Sequence, residues 1–279
     1  MTRIATRDGV VYDVHDSGRG PVLVLLHGFA GSSRAWEPVA DRLRVGRRLV
    51  AIDLLGHGGS DGPVPERQTV ERQVADLAWL IDGQCGGAVD VLGYSLGARV
   101  ALWLAVAAPE LVNRLVLESP SPGIPDGPER IARTAADEQW ASLLDTGDLA
   151  AFHDAWEAQP MFASHATLPS DVNHAIRDAH LAASAKGLAA SLRGAGQGVM
   201  PVLHDHLPMI AASALVIAGE LDPVGRERAA TVSQLLPDAR LETIPAAGHA
   251  PHLERPEAFL TLVAGFLDHH PVDTPGGAP

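Results

Sequence analysis

The sequence predicts an α/β protein whose mostly parallel central sheet is flanked by helices. Along most of the chain, segments with strand composition alternate with segments of helical periodicity. Several strand segments are near-continuous runs of Val, Leu and Ile, which is typical of strands buried on both faces. Alternation of this kind favours parallel strands joined by helices on both sides of the sheet. Between about residues 123 and 209 only helical patterns occur, which predicts a helical insertion.

Local composition predicts each element in turn. Strands are expected at seven segments: 10–16, 21–28, 47–53, 88–94, 113–119, 214–220 and 239–245. Helices that flank the sheet are expected at 33–43, 69–81, 96–107, 226–236 and 256–269. Helical patterns in the insertion occupy 126–145, 147–159, 169–183 and 185–194. The first of these begins with Asp126-Gly127-Pro128, which is typical of a helix start.

The insertion predicts how the chain is organised. An all-helical segment within an α/β sheet is expected to cover the functional site rather than to form an independent domain. The predicted organisation is a core at 1–122 and 210–270 with a helical cap at 123–209. The segment 271–279 is rich in Pro and Gly and is predicted to be a disordered tail.

Composition restricts the class of partner. The 279-residue chain has 21 Lys and Arg against 34 Asp and Glu, a formal net charge of −13. Nucleic acids and anionic membranes require a basic surface, so neither is expected. The single cysteine, Cys85, excludes an internal disulfide and argues against a cysteine-ligated metal. No segment resembles a signal peptide or membrane helix, so we expect a cytoplasmic monomer or homo-oligomer.

The segment 93–97, Gly-Tyr-Ser-Leu-Gly, lies between a predicted strand and a predicted helix. A G-x-S-x-G pattern in that context is typical of a nucleophile elbow, where two glycines permit a tight turn and the serine oxygen projects above the sheet. Ser95 is therefore the candidate catalytic serine. The alternative is a serine in an ordinary strand–helix turn.

An acid and a histidine follow where this arrangement predicts them, in the chain order serine, acid, histidine. Asp222 comes after the predicted strand 214–220, and His249 comes after the strand 239–245. Both lie where parallel strands end, which is where open α/β sheets bind ligands. His252 is the alternative histidine. In the loop His27-Gly28-Phe29, the N–H of Phe29, together with that of Leu96, would form an oxyanion hole, and His27 would brace the loop.

These motifs together resemble the α/β-hydrolase superfamily over nearly the whole chain. The residues that carry the resemblance are HGF at 27–29, DLLGHG at 53–58, GYSLG at 93–97, Asp222, and Gly-His at 248–249. The resemblance implies the α/β-hydrolase fold, with the helical cap inserted after the sixth strand. Leu55 stands where proline is commoner, which would change loop stiffness rather than chemistry.

Arginines suggest the kind of substrate. Arg99 lies one helical turn after Ser95 on the same face, and a guanidinium under the site needs an anionic partner. Two partners remain open: Glu118 in a structural salt bridge, or a substrate carboxylate. Further arginines in the predicted cap favour a substrate with more than one carboxylate, because the planar guanidinium binds carboxylate through two hydrogen bonds. They are Arg130, Arg133, Arg177 and Arg193.

Five segments resemble a narrower family, the 2-succinyl-6-hydroxy-2,4-cyclohexadiene-1-carboxylate synthases (MenH family) of menaquinone biosynthesis. They are GYSLGARVAL, LESPSPGI, ERIARTAADEQWA, WEAQPMFAS and LAASLRGAGQGVMP. The resemblance implies a lyase that eliminates pyruvate from 2-succinyl-5-enolpyruvyl-6-hydroxy-3-cyclohexene-1-carboxylate, a substrate with three carboxylates. It implies no metal and no cofactor. Arg130 and Arg193 are expected to be structural, and Ala98 stands where glycine is common.

The same resemblance implies a role for each matching residue. Ser95 would remove the proton, activated by His249 and oriented by Asp222, while Phe29 and Leu96 stabilise an enolate. The residues that match the family's substrate contacts are Arg99, Arg133, Arg177, Tyr94 and Trp156.

Two other functions remain open at this stage. A carboxylesterase or C–C bond hydrolase would use Ser95 as a nucleophile through an acyl-enzyme, which explains the triad but not the arginines. A non-catalytic binding or sensor protein can keep this fold and its triad, since a fold does not determine function. Pyruvate release from the enolpyruvyl substrate separates the lyase from both.

Overall fold

Eight strands form one sheet in the computed structural model, which describes residues 2–269. They are β1 Thr2–Ala5, β2 Val11–Gly18, β3 Val22–Leu26, β4 Arg48–Ile52, β5 Val89–Tyr94, β6 Val112–Glu118, β7 Ser213–Gly219 and β8 Ala239–Ile244. Their order in the sheet is β1-β2-β4-β3-β5-β6-β7-β8. The pairs β1–β2 and β2–β4 are antiparallel and all other neighbours are parallel, so the mostly parallel sheet is confirmed.

One strand is absent from the sequence prediction. The strand β1 has four residues, Thr-Arg-Ile-Ala, and is mostly exposed. It lies at the edge of the sheet, where it pairs only with β2. A short, polar edge strand has no buried face, so it leaves no alternating apolar pattern to detect.

Helices flank the sheet and fill the insertion. They are α1 Glu37–Leu43, α2 Val70–Cys85, α3 Leu96–Ala107, α4 Pro128–Asp145, α5 Leu149–Glu157, α6 Ser170–Leu181, α7 Ala185–Ala195, α8 Pro223–Leu235, α9 Pro251–Glu254 and α10 Pro256–His269. In the part of the chain that the structure describes, no helix combines the length and apolarity needed to cross a bilayer.

The hydrophobic core lies on both faces of the sheet. One face packs against α2, α3 and α8, with residues such as Leu102 and Val232 fully buried. The other face packs against α1 and α10, with Trp36 and Phe259 fully buried. The helix α3 is enclosed along most of its length, because its side chains are nearly all apolar. Arg99 is the one charged residue in it.

The central strands determine where the loops meet. Strands β3 and β5 are parallel neighbours, and Leu26 pairs with Gly93 at their carboxyl ends. The loop after β3 therefore leaves the sheet beside the turn after β5. Strands β7 and β8 end at the same edge, where Gly219 pairs with Ile244. This edge is where parallel sheets place ligand sites, so the candidate residues after these strands converge there.

The insertion is helical, as the sequence predicts. Four helices, α4 to α7, lie between β6 and β7, and the segment 119–212 contains no strand. Helix α4 packs against α7, and α5 packs against α6. Phe152, Trp156 and Leu188 belong to an apolar cluster that also includes Ala30, in the loop after β3. The cap after the sixth strand is thus confirmed. Its predicted limits at 123 and 209 stay a prediction, and the predicted tail 271–279 lies outside the described residues.

Candidate active site

The turn between β5 and α3 holds Ser95 in a conformation that few side chains adopt. Its φ is 50° and its ψ is −105°. A Cβ atom on Gly93 would collide with the backbone of Gly97, and one on Gly97 would collide with the carbonyl oxygen of Leu26. Only glycine fits at both positions, so the G-x-S-x-G pattern has a steric cause. The serine oxygen lies at the amino end of α3, where the helix dipole favours negative charge.

His249 connects the serine to the acid. Its Nε2 lies 3.1 Å from the Ser95 Oγ, and its Nδ1 lies 2.7 Å from an oxygen of Asp222. These distances fit a neutral imidazole in which Nδ1–H donates to the carboxylate and Nε2 accepts from the serine hydroxyl. A serine–histidine–acid chain of this kind can withdraw the serine proton in concert with an attack or a deprotonation.

Asp222 is fixed by two functions at once. Its carboxylate accepts from the N–H of Gly225 at 2.9 Å and caps helix α8, while its other oxygen contacts His249. Burial raises the pKa of this carboxyl, but the hydrogen bond and charge of His249 and the N–H of Gly225 outweigh it. The net pKa lies below the ordinary value, so Asp222 is ionised at neutral pH.

The loop that carries His249 is tied down on both sides. Glu254 accepts from the N–H of Gly248 at 2.6 Å and of Ala250 at 3.0 Å. The Ser119 hydroxyl donates to the His249 carbonyl oxygen at 2.8 Å. The imidazole is therefore held by fixed backbone rather than by side-chain packing alone.

The alternative histidine serves another purpose. His252 is fully buried, and its Nδ1 and its backbone N–H both contact Glu118, at 2.9 and 2.8 Å. It packs beside Tyr94 and does not contact Ser95. Glu118 is therefore engaged by His252, and the salt bridge to Arg99 that the sequence left open is not formed.

The loop after β3 borders the serine. His27 links two backbone segments, since its Nδ1 lies 2.7 Å from the Gly28 carbonyl oxygen and its Nε2 accepts from the N–H of Leu54 at 3.0 Å. This is the bracing role expected for it. A Cβ on Gly28 would overlap the ring of Tyr94 at 2.6 Å, so the loop approaches the elbow closely.

Two backbone donors lie at this junction. In the part of the chain that the structure describes, the N–H of Phe29 donates no hydrogen bond. Leu96 is the first residue of α3, so its N–H has no partner within the helix. The oxyanion hole at Phe29 and Leu96 stays a prediction, and these two N–H groups are the donors it would use.

Arg99 is a buried cation that pairs with no carboxylate of residues 2–269. Only 6% of the residue is exposed. Its guanidinium donates to the Ala195 carbonyl oxygen at 3.0 Å and contacts the Met200 sulfur at 2.7 Å, and its Nε has no partner among residues 2–269. Burial, together with repulsion from Arg133, lowers the pKa of Arg99 to about 9, which leaves it charged at neutral pH.

Two more arginines stand near Arg99, and one was missed by the sequence analysis. Arg133, on α4, pairs with Asp137 at 2.8 Å, and Arg228, on α8, donates to the Gln197 side chain at 2.9 Å. Arg133 contacts the same Gln197 oxygen at 3.3 Å. Burial and repulsion from Arg133 lower the pKa of Arg228. Arg228 lies six residues after Asp222, in the helix that Asp222 caps, and this position is the only signal that could have identified it.

Aromatic rings pack beside the triad. Trp156 packs against Phe29 and Trp140, with ring centres 5.0 and 5.1 Å apart, and stacks on Phe152. Tyr94 lies with its ring centre 5.5 Å from that of His249. Burial and the neighbouring carboxylate of Glu118 raise the pKa of Tyr94 well above its usual value, so it stays a neutral phenol.

The remaining predicted arginines have partners of their own. Arg177, on α6, pairs with Asp154 at 2.8 Å and is half-exposed, and the structure does not bring it into contact with the triad or with Arg99. Arg130 donates to the backbone carbonyls of Ile124, Val199 and Met200. Arg193 pairs with Glu138 and Asp145 on the surface of the cap. The last two therefore have structural contacts, as expected for them.

Known proteins resemble this chain in sequence and in structure. The alpha/beta hydrolase family model matches residues 23–262. A Bacillus subtilis (strain 168) protein named "Putative 2-succinyl-6-hydroxy-2,4-cyclohexadiene-1-carboxylate synthase" is 39% identical over 95% of this chain and 97% of its own length. The Salmonella paratyphi B 2-succinyl-6-hydroxy-2,4-cyclohexadiene-1-carboxylate synthase is 34% identical over 88% of this chain and 94% of its own.

A solved structure extends the agreement to the backbone. MenH from S. aureus matches with a TM-score of 0.88 and 32% identity, covering 92% of this chain and 98% of that one. The match therefore includes the cap as well as the sheet. The chain belongs to the alpha/beta hydrolase family and, within it, to the family of 2-succinyl-6-hydroxy-2,4-cyclohexadiene-1-carboxylate synthases.

Proposed function

We propose that this protein is a lyase that eliminates pyruvate from 2-succinyl-5-enolpyruvyl-6-hydroxy-3-cyclohexene-1-carboxylate and forms 2-succinyl-6-hydroxy-2,4-cyclohexadiene-1-carboxylate. The observation that carries the proposal is Arg99, a buried guanidinium one helical turn from Ser95 that pairs with no carboxylate of residues 2–269. A buried cation is costly unless an anion pairs with it, and a substrate carboxylate would supply that anion.

The three arginines near the triad suit a substrate with several carboxylates. Burial lowers the pKa of Arg99 and of Arg228, and repulsion from Arg133 lowers both further, so these two charges are unfavourable in the unbound protein. A bound polyanion would reverse that repulsion. Each charge-assisted hydrogen bond contributes about 1.5–3 kcal/mol, so three of them contribute roughly 4.5–9 kcal/mol, compared with about 8 kcal/mol for a micromolar ligand.

Arg177 is the third arginine that the family resemblance predicts to bind a substrate carboxylate. It lies on the cap helix α6, and its surface pairing with Asp154 is one that a substrate carboxylate could replace. An exposed pair of this kind is worth less than about 1 kcal/mol, so exchanging Asp154 for a substrate carboxylate costs little.

Proton removal begins the proposed reaction. The ring carbon that is attached to the succinyl ketone loses its proton to the Ser95 oxygen, while the serine proton passes to His249 Nε2. Unperturbed serine is far too weakly basic for this step, so the two proton transfers have to be concerted. Asp222 stabilises the resulting imidazolium and keeps its Nδ1 facing the carboxylate.

Charge on the ketone oxygen develops at the same time. The N–H groups of Phe29 and Leu96 would stabilise this enolate, and the amino end of α3 would add to them. Collapse of the enolate through the ring double bond expels the enolpyruvyl group as the enolate of pyruvate. Trp156 and Tyr94 would form the apolar walls that keep water from the intermediate.

Pyruvate release tests the proposal. The purified protein is given the enolpyruvyl substrate, and pyruvate is followed by its reduction with NADH and lactate dehydrogenase. We expect turnover that Ser95→Ala and His249→Ala reduce by about 10³-fold or more, since the triad members act as a unit.

The competing function is a serine hydrolase that acts through an acyl-enzyme, because the same triad and oxyanion donors would serve it. Hydrolysis of p-nitrophenyl acetate and butyrate is measured in parallel. Rapid ester hydrolysis without pyruvate release would reject the lyase in favour of the hydrolase. If neither reaction is observed with folded protein, the catalytic proposal itself fails.

A further inference from the structure

A cluster of imidazoles and one carboxylate lies in the cap, on the helices α5 and α6. His153 and Glu157 are one turn apart on α5, so their side chains share a face. His180, near the end of α6, faces them. One ligand atom from each of these three residues lies within 4.8 Å of the others. The Nδ1 atoms of His153 and His180 are 2.9 Å apart.

The three groups are in the chemical form that binds a metal. His153 and His180 are 9% and 6% exposed. The 2.9 Å contact between their Nδ1 atoms fits one ring whose Nδ1–H donates to the Nδ1 lone pair of the other. The carboxylate of Glu157 supplies the third donor.

The carboxylate is already oriented by a fourth residue. His165 Nδ1 lies 2.7 Å from the Oε2 of Glu157, in the segment 160–167 that follows α5. A ligand held by an outer partner in this manner is typical of metal sites, because the partner fixes the ligand's direction. One oxygen of Glu157 lies within 4.8 Å of a ring nitrogen of each of the two histidines.

We propose that His153, Glu157 and His180 bind one divalent transition-metal ion, with Zn²⁺ as the ion that this donor set suits best. Two imidazole nitrogens and one carboxylate oxygen are common zinc ligands at about 2.0–2.2 Å, which places them roughly 3.3 Å from one another in a tetrahedron. The two Nδ1 atoms are 2.9 Å apart and all three ligand atoms lie within 4.8 Å of one another, so side-chain rotations would bring them to the spacing of a bound ion. Water would occupy the fourth position.

The site is distinct from the triad and does not enter the proposed reaction. It would join α5 to α6, and those helices carry Trp156 beside Glu157 and Arg177 three residues before His180. The bound ion therefore fixes the spacing between two elements of the substrate pocket. Without a metal the two rings share an Nδ1–H···Nδ1 hydrogen bond, and for both Nδ1 atoms to bind the ion that proton moves to Nε2 of its own ring.

Direct binding tests the site. Tag-free, full-length protein is stripped with EDTA, exchanged into buffer without chelator and titrated with ZnCl₂ by calorimetry, with bound zinc counted after dialysis. We expect about one Zn²⁺ per chain and a rise in Tm with zinc. CoCl₂ is expected to give visible absorption bands of a four-coordinate nitrogen–oxygen site, because cobalt adopts the geometry that zinc does in such sites.

Three variants make the result specific. His180→Ala and Glu157→Gln are expected to weaken zinc binding by tenfold or more and to remove the cobalt bands. His174→Ala, which changes an exposed histidine on the same helix, is expected to bind like the wild type. Glu157→Gln keeps the size of the side chain, so it separates loss of the ligand from loss of the fold. Equal zinc binding by wild type and both ligand variants, or no binding by wild type, overturns the proposal.

Discussion

Arg99 and Arg114 are both buried arginines, yet their surroundings are opposite. Arg114 forms two hydrogen bonds with Asp90, at 2.8 and 2.6 Å, inside the core. Arg99 has a backbone carbonyl and a thioether for partners and no carboxylate among residues 2–269. Removing one member of a buried ion pair leaves the other uncompensated, whereas removing an unpaired cation relieves a desolvation cost. The two residues therefore make a matched pair of tests.

Arg99→Met is expected to lower kcat/KM for the enolpyruvyl substrate by about 100-fold or more, because two charge-assisted hydrogen bonds to a carboxylate are lost. Its Tm should be unchanged or higher than that of the wild type. Arg114→Met should instead lose about 3–5 kcal/mol of unfolding free energy. Enzyme kinetics and thermal unfolding check both variants. A large fall in Tm for Arg99→Met with kcat/KM intact would mean that Arg99 is structural.

Arg228 is expected to contribute through the same pocket. Arg228→Ala should raise KM for the polyanionic substrate and lower kcat/KM by roughly tenfold, since about 1.4 kcal/mol corresponds to a factor of ten. Arg226→Ala alters an exposed arginine on the same helix and serves as the control. Steady-state kinetics on both variants provides the test. Similar effects of the two substitutions would indicate a general charge effect rather than a contact with substrate.

For single residues, the sequence predicts features that depend on neighbouring residues in the chain and misses contacts between distant segments. The geometry around Ser95 follows from two glycines, and His249 and Asp222 follow from their places after predicted strands. Arg228 was not predicted, because it is connected to Arg133 only by Gln197, a residue of a different segment whose side-chain oxygen both arginines contact. The partner of Arg99 was ambiguous for the same reason: only the assembled fold shows that Glu118 is bound by His252.

For helices, the first and last residues could be predicted where a tight turn or a capping residue marks them in the sequence. Helix α3 occupies the predicted range 96–107 because the tight turn fixes its start. Helix α2 runs four residues beyond the predicted end, to Cys85, since the first residue with left-handed backbone is Gly86, with φ at 71°. Helix α8 begins at Pro223, earlier than predicted, because Asp222 acts as its cap. Gly86 and Asp222 are visible in the sequence, but the pattern alone did not show that these residues mark the end of α2 and the start of α8.

The helix pair α5–α6 carries a pH dependence that belongs to the element rather than to one residue. The pKa of His180 is about 4 in the folded protein, compared with the ordinary value near 6.5 expected after unfolding. Between these values the unfolded chain binds a proton that the folded chain does not. Stability therefore rises with pH across this interval and is lost as pH falls from about 6.5 towards 4.

Replacing the ring should remove this part of the slope. When the pH is lowered from 7 to 5, we expect the unfolding free energy of the wild type to fall by about 2 kcal/mol more than that of His180→Gln. Urea unfolding at both pH values, with EDTA present to keep metals from the site, gives the comparison. His174→Gln, on the exposed part of the same helix, should behave as the wild type does. Parallel slopes for wild type and His180→Gln would show that His180 titrates normally.

For the whole molecule, the net charge of −13 opposes the approach of a substrate with three carboxylates. The arginines near the triad act only at short range, whereas the overall charge acts over the reach of the ionic atmosphere. That reach is about 30 Å in 0.01 M salt and about 10 Å in 0.1 M salt. At low salt the approaching substrate is repelled by nearly the whole net charge of the protein, and at moderate salt it is influenced mainly by the charges of the pocket.

We therefore expect kcat/KM for the enolpyruvyl substrate to rise several-fold as salt increases from about 0.01 to 0.1 M. At higher salt it should fall, as the arginine–carboxylate attraction is screened in turn. The value of kcat at saturating substrate should change little, because approach no longer limits a filled site, and this serves as the internal control. A steady fall in kcat/KM from the lowest salt upward would show that the local field of Arg99, Arg133 and Arg228 already dominates at long range.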